Sequence, residues 1–170
     1  MSSRNREFDI IVWGASGFTG RLVAEYIFQK YNSEDLKWGI AGRDKTKLSS
    51  VRDTYLSKDI PILIGDSFDE RSLSKITSRT KVICSTVGPY SKYGSAIVKS
   101  CLESGTDYCD LAGESQWIRK MIDLYHQEAK SKKLKIVNSC GFDSIPSDMG
   151  VYFIFKDILK KDIKISMRVV

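Results

Sequence analysis

The chain has 170 residues, of which 42% are hydrophobic and 28% are charged, and its net charge is +6. This length suits one domain with its own core, and the composition is typical of a soluble globular protein. No apolar run approaches the roughly 18 residues that a membrane span needs, and the polar N-terminus does not resemble a signal peptide. A basic surface favours anionic partners, but no recognition motif accompanies the charge, so we expect no nucleic-acid partner.

The four cysteines, Cys84, Cys101, Cys109 and Cys140, are widely spaced and form no C-x-x-C pair. We interpret them as reduced thiols that serve as small core residues, which indicates a reducing compartment. We therefore expect no metal site and an intracellular, cytoplasmic location. The sequence leaves open an association with a membrane or a lipid droplet, and it also leaves open a homo-oligomer.

Strands and helices alternate along the whole sequence. Apolar segments predict strands at 8–13, 37–41, 60–64, 81–86, 108–111 and 134–138, with a further strand at 163–170. Amphipathic segments predict helices at 18–31, 45–57, 70–77, 94–104, 117–131 and 147–159.

Strands that are apolar throughout, each followed by a helix, indicate a parallel sheet that is covered on both faces. Right-handed crossovers then produce a doubly wound α/β fold of the Rossmann type with about six strands. The strand at 163–170 comes after this pattern is complete. We therefore expect residues 1–160 to form a dinucleotide-binding domain and residues 161–170 to begin a second, substrate-binding domain.

The first strand and its helix are joined by Gly14-Ala-Ser-Gly-Phe-Thr-Gly20. Gly14 permits a tight turn, Gly17 lets the backbone approach a pyrophosphate, and Gly20 lets the helix pack closely on the strand. Free amides at the helix start then hold the anion, assisted by hydroxyl donors. The spacing is one residue longer at the front than the dinucleotide fingerprint, but its position indicates a phosphate-binding turn. The candidate residues of this turn are Gly14, Ser16, Gly17, Phe18, Thr19 and Gly20.

The end of the second strand favours NADP over NAD. NAD-binding domains place an acid there to hold the ribose 2′-hydroxyl, whereas this strand leads into Arg43, whose guanidinium suits a phosphate. Asp44 could reach a ribose hydroxyl, but we interpret it as the N-cap of the next helix. Asp66, after the third strand, is either an adenine-contacting acid or a turn residue.

The loop after the fourth strand should lie over the cofactor crevice, at the carboxyl ends of the strands. Its candidate cofactor-binding residues are Thr86, Gly88, Pro89 and Tyr90. Polar residues from later loops predict the rim of a substrate cleft together with Tyr90. These residues are Glu114, Asp143 and Ser144.

No catalytic residue can be assigned. The single histidine, His126, lies within an amphipathic helix, and no catalytic triad can be assembled around it. Ser139, Tyr152 and Lys156 match the Ser…Tyr-x-x-x-Lys spacing of short-chain dehydrogenases, which is one alternative function. We do not favour it, because the segment around Tyr152 is apolar enough to be core.

Several segments in order make the chain resemble the saccharopine dehydrogenase-like oxidoreductases. They are Gly14-Ala-Ser-Gly-Phe-Thr-Gly20, Ala41-Gly-Arg43, Val87-Gly-Pro-Tyr90, Tyr93-Gly94, Asp110-Leu-Ala-Gly-Glu114 and Ser139-Cys-Gly-Phe-Asp-Ser-Ile-Pro-Ser-Asp148. The resemblance implies NAD(P)-dependent hydride transfer on an amino-acid-derived substrate. Because relatives include trans-acting enoyl reductases, it equally implies a lipid-like enoyl substrate and a role in lipid metabolism. Family members are longer, so we expect this chain to hold NADP but to be incomplete for turnover.

A second alternative is non-enzymatic. A Rossmann module without a catalytic acid could act as an NADP sensor whose partners change with the bound nucleotide.

Overall fold

The computed structural model describes residues 5–31 and 35–159, with side chains described as far as residue 156. Its strands are β1 (Phe8–Trp13), β2 (Trp38–Gly42), β3 (Ile62–Ile64), β4 (Thr80–Ser85), β5 (Asp107–Asp110) and β6 (Ile136–Val137). Its α-helices are α1 (Phe18–Tyr31), α2 (Lys45–Tyr55), α3 (Glu70–Thr77), α4 (Tyr90–Ser104), α5 (Ser115–Ser131) and α6 (Ile145–Phe153). A π-helical segment, Ile154–Leu159, follows α6.

The six strands form one sheet in the order β3-β2-β1-β4-β5-β6, and every neighbouring pair is parallel. The predicted doubly wound α/β fold is confirmed. Strand order reverses between β1 and β4, so the loops after these two strands diverge to opposite faces. In open α/β sheets, ligands bind in the crevice at this reversal.

Each face of the sheet has its own core, because side chains alternate along a strand. Ile11 and Trp13 of β1 point to one face and pack with side chains of α3, α4 and α5. Val12 points to the other face, where Ile40 of β2 and side chains of α1 and α2 complete a smaller core.

The half of this second face that β4, β5 and β6 form is only partly covered in the described residues. Ile83 and Tyr108 on the opposite face are at most 1% exposed, whereas Cys84 and Cys109 are half-buried and Val137 is 48% exposed. Helix α6 buries no residue. The expectation that Tyr152 belongs to the core is therefore wrong, since this side chain is 54% exposed.

Three element boundaries differ from the prediction. Helix α4 begins at Tyr90 rather than at residue 94, because a carboxylate from another loop caps it, as described below. Helix α6 begins at Ile145 rather than at 147, since Ser144 occupies the N-cap position and a proline stands in the first turn. Only Ile136–Val137 of the predicted strand 134–138 pairs with β5.

The predicted strand at 163–170 and the predicted domain boundary after residue 160 lie outside the described residues. Among the helices that the structure describes, none is long and apolar enough to cross a membrane.

Candidate cofactor-binding site

The turn between β1 and α1 has the backbone of a phosphate-binding loop. Gly14 has a φ of +92°, which favours glycine, and its amide donates to the Ala41 carbonyl at 2.8 Å. The Gly17 amide donates back to the Gly14 carbonyl at 3.0 Å and closes the turn. A Cβ on Gly20 would overlap the Gly14 carbonyl, so only glycine lets α1 start this close to β1.

The crevice beside this turn brings backbone donors and a cationic side chain together. It has a volume of about 330 Å³ and lies at the reversal of strand order. The first amides of α1 have no intrahelical partner and carry the positive end of the helix dipole. The lining residues are Trp13, Gly14, Ser16, Gly17, Arg43, Gly65, Asp66, Ser67, Thr86, Val87, Gly88 and Tyr93.

Seven of the predicted cofactor-binding residues therefore share one cavity. They are Gly14, Ser16, Gly17, Arg43, Asp66, Thr86 and Gly88. Gly20 does not line this cavity, but it lets the start of α1 pack closely against the Gly14 carbonyl. Phe18 is 76% exposed and lines no described cavity, and Thr19 faces a second cavity instead. Pro89 occupies the N-cap position of α4.

The end of β2 separates the roles of its two charged residues. Asp44 is the N-cap of α2, where its carboxylate accepts a hydrogen bond from the Lys47 amide at 3.0 Å. Its interpretation as a cap is confirmed. Arg43 is exposed at the crevice and has no ion-pair partner in the part of the chain that the structure describes. Its guanidinium is free to meet a phosphate.

Asp66 and Trp13 also line the crevice. Asp66 uses Oδ1 to accept from the Phe68 amide at 2.9 Å, so it is a turn residue, and it also lines the crevice. Trp13 is 2% exposed, and its indole N–H has no hydrogen-bond partner among the described residues. A buried donor without a partner is costly to the folded state.

A second cavity of about 380 Å³ lies on the other side of the start of α1. Apolar and sulfur-containing side chains provide most of its lining, and Asp143 stands at one side. The lining residues are Thr19, Val23, Cys84, Ser85, Cys109, Asp110, Leu111, Cys140, Gly141, Phe142 and Asp143. Phe142 is 88% exposed, so this cavity continues into an apolar surface.

Tyr90 and Glu114 do not form a cleft rim. Tyr90 is 5% exposed, its hydroxyl donates to the Ser85 carbonyl at 3.0 Å, and its burial raises its pKa well above the usual value. Glu114 accepts from the amides of Tyr90 at 2.5 Å and Ser91 at 2.8 Å, and these hydrogen bonds, Ser91 first, lower its pKa. Its carboxylate therefore caps α4.

The alternative short-chain dehydrogenase triad is not assembled at the crevice. The Ser139 hydroxyl donates to the Ala112 carbonyl at 2.7 Å. The Lys156 ammonium lies over the ring of Tyr152, 5.7 Å from its centre, and neither residue lines the crevice. Ser144, predicted for the substrate cleft, is the N-cap of α6 and lines neither cavity.

Asp110 organises the loops beside the second cavity, a role that the sequence analysis missed. It is 2% exposed, and its carboxylate accepts four hydrogen bonds. The donors are the Tyr108 hydroxyl at 2.9 Å, the Asn138 amide group at 2.8 Å, the Ala112 amide at 3.0 Å and the Ser139 amide at 3.1 Å. The sequence signal that could have identified this role is an acidic residue at the end of a buried strand.

Comparisons with known proteins agree with this geometry. A family model described as the saccharopine dehydrogenase NADP-binding domain matches residues 10–137. A trans-acting enoyl reductase of Mycobacterium ulcerans is 41% identical over 158 residues, and one of Mycobacterium tuberculosis is 40% identical over 158 residues. Each match covers 92% of this chain, which spans 37% of the length of either relative.

Solved structures share the fold. A saccharopine dehydrogenase from Saccharomyces cerevisiae superposes with a TM-score of 0.71 at 20% identity, over 87% of this chain and 31% of that one. A triphenylmethane reductase of Citrobacter in complex with NADP(H) has a TM-score of 0.56 at 18% identity, over 76% of this chain and 48% of that one. The prediction of NADP as cofactor is confirmed by the family match. This chain belongs to the saccharopine dehydrogenase NADP-binding domain family.

Proposed function

We propose that this chain holds NADPH for an oxidoreductase that reduces the double bond of a hydrophobic, enoyl-type acyl substrate. The observation that carries the proposal is the crevice itself, where a glycine turn, the loop at Thr86–Gly88 and an Arg43 that has no ion-pair partner among the described residues line one cavity. When bound, NADPH supplies the hydride. The protein's contribution is to bind, to orient and to exclude water.

Each end of the crevice suits a different part of the dinucleotide. The amides after Gly14 hold the pyrophosphate at the start of α1, with Ser16 as an added hydroxyl donor. Arg43 pairs with the 2′-phosphate, and Asp66 meets the adenosine. Thr86 already uses its hydroxyl to bond the Trp13 carbonyl at 3.0 Å, so it positions the loop that faces the nicotinamide half.

The substrate class follows from the second cavity. Its lining is mostly apolar, and it continues into the exposed side chain of Phe142. Such a surface favours an alkyl chain over an amino-acid-derived substrate. The relatives that are 40–41% identical are named as enoyl reductases, which supports the same choice.

The proposal also assigns residues 1–160 to the NADP-binding domain and residues 161–170 to the start of a substrate domain. In the described residues, no side chain lines both the crevice and the second cavity, so no proton donor faces both the cofactor and the substrate. We therefore expect this 170-residue chain to bind NADPH without sustained turnover.

Fluorescence of bound NADPH tests both parts. Titration should give saturable binding with preference over NADH, and a long-chain trans-2-enoyl thioester should perturb the bound fluorescence more than its saturated analogue does. Absorbance of NADPH should stay constant with the enoyl thioester present. Absence of NADPH binding would refute the cofactor site. Steady, substrate-dependent oxidation of NADPH would refute the expectation that this chain does not sustain turnover.

A further inference from the structure

Two thiols face each other on the floor of the second cavity. Cys84 on β4 and Cys109 on β5 are register partners in parallel strands, so their side chains point to the same face. Both are half-buried, and both line the cavity. Cys140 is exposed and belongs to the same lining.

We propose that Cys84 and Cys109 form a dithiol site that reacts with hydroperoxides and closes to a disulfide. Neighbouring strands lie about 4.8 Å apart. Disulfides span Cα separations of about 4.4–6.8 Å, so the strand spacing brings paired positions within the range that a disulfide links. The cavity gives a small oxidant access to both sulfur atoms.

The two thiols differ in a way that assigns their roles. The interaction with the neighbouring Cys109 thiol lowers the pKa of Cys84, while the same interaction and burial raise the pKa of Cys109. The thiolate is the nucleophile in thiol chemistry. Cys84 is therefore the attacking thiol and Cys109 the resolving thiol.

The reaction balances with the hydroperoxide as the only added reactant. The Cys84 thiolate attacks one peroxide oxygen, the O–O bond breaks, and the departing oxygen leaves as water or an alcohol after protonation. Cys84 is then a sulfenic acid. The Cys109 sulfur attacks the Cys84 sulfur, the S–O bond breaks and water leaves. The thiol pair loses two electrons, and the peroxide gains them.

The other two cysteines do not share this geometry. Cys101 is fully buried in the core on the opposite face, where burial raises its pKa. Cys140 has no strand partner, and its thiol donates to the carbonyls of Val137 at 3.6 Å and Asn138 at 3.8 Å.

Peptide mapping of the folded chain tests the site. The reduced chain is treated with one equivalent of hydrogen peroxide, the remaining thiols are alkylated, and the chain is digested without reductant. Cleavage at Glu103 separates Cys101 from Cys109. We expect a Cys84–Cys109 link as the main product, so that two of the four cysteines escape alkylation.

Variants and a denatured sample keep the assignment falsifiable. Cys101→Ala and Cys140→Ser should retain the link, whereas Cys109→Ser should lose it and leave Cys84 as a sulfenic acid that dimedone captures. In urea the preference for this pair should disappear, because it depends on strand register. A main product that links Cys140, oxidation confined to Cys140, or no reaction in the folded chain would each overturn the proposal.

Discussion

Removal of the Arg43 guanidinium should weaken binding of NADP⁺ but not of NAD⁺. The side chain lines the crevice at the end of β2 and has no ion-pair partner in the described residues, so its charge is available to the ligand. A hydrogen bond to a charged group contributes about 1.5–3 kcal/mol. Because Arg43 is exposed, water screens part of this energy, and the lower part of the range applies.

We therefore expect Arg43→Ala to cost about 1.5–2 kcal/mol for NADP⁺, which corresponds to an increase in Kd of about 10- to 30-fold. The Kd for NAD⁺ should stay within about twofold. Isothermal titration calorimetry on both nucleotides measures this difference directly.

Lys45→Ala is the matched control, because it removes the same charge at an exposed position outside the crevice lining. It should change both affinities slightly and equally, since screening weakens distant charges. Equal losses for NADP⁺ and NAD⁺ in Arg43→Ala, or equal effects of the two variants, would refute a direct contact with the 2′-phosphate.

Three further predictions concern stability, measured as the free energy of unfolding in urea. Gly94→Ala should destabilise the chain by about 1–2 kcal/mol, because the new Cβ would lie 2.6 Å from the buried Trp117 ring and a gain in helix propensity offsets only part of this overlap. Asp110→Ala should cost about 3 kcal/mol or more, since it leaves four donors without their acceptor, and an unchanged stability would contradict the role described for this residue. Glu114→Ala should remove the cap of α4 at a cost of about 0.5–1 kcal/mol, reduced by solvent exposure. Because the folded state lowers the pKa of Glu114, its contribution is present above the ordinary carboxyl pKa and lost as pH falls through the lowered value. The difference between wild type and Glu114→Ala should therefore vanish in acid, and a difference that persists there would exclude the charged cap.

The sequence predicts those parts of the fold that depend on local pattern. Apolar strands and amphipathic helices identify the six strands and the six α-helices of the described residues, and the glycine turn identifies the crevice. Asp44 could be assigned as a cap because a cap acts within three residues of its own helix. Interactions of that range are visible in a sequence.

The errors come from contacts between residues far apart in the chain. Glu114 caps a helix that begins 24 residues earlier. The residues next to Glu114 in the sequence therefore do not distinguish a helix cap from an acid at a cleft rim. Tyr90 follows a glycine and a proline, which suggests an exposed loop, but its ring packs on Trp117 at 5.4 Å between centres. The pairing of Cys84 with Cys109 depends on sheet register, which spacing alone does not determine.

The reversal of strand order has a consequence for cooperativity. The two halves of the sheet meet where β1 pairs with β4, and beyond the strand ends the Thr86 amide and hydroxyl both donate to the Trp13 carbonyl. A nucleotide that contacts Arg43 from one half and Gly88 from the other bridges this seam without a covalent link. At a ligand concentration 100 times Kd, such a bridge adds about 2.7 kcal/mol to the folded state. The cofactor then also stabilises the folded chain, because it contacts the strand ends of both halves of the sheet.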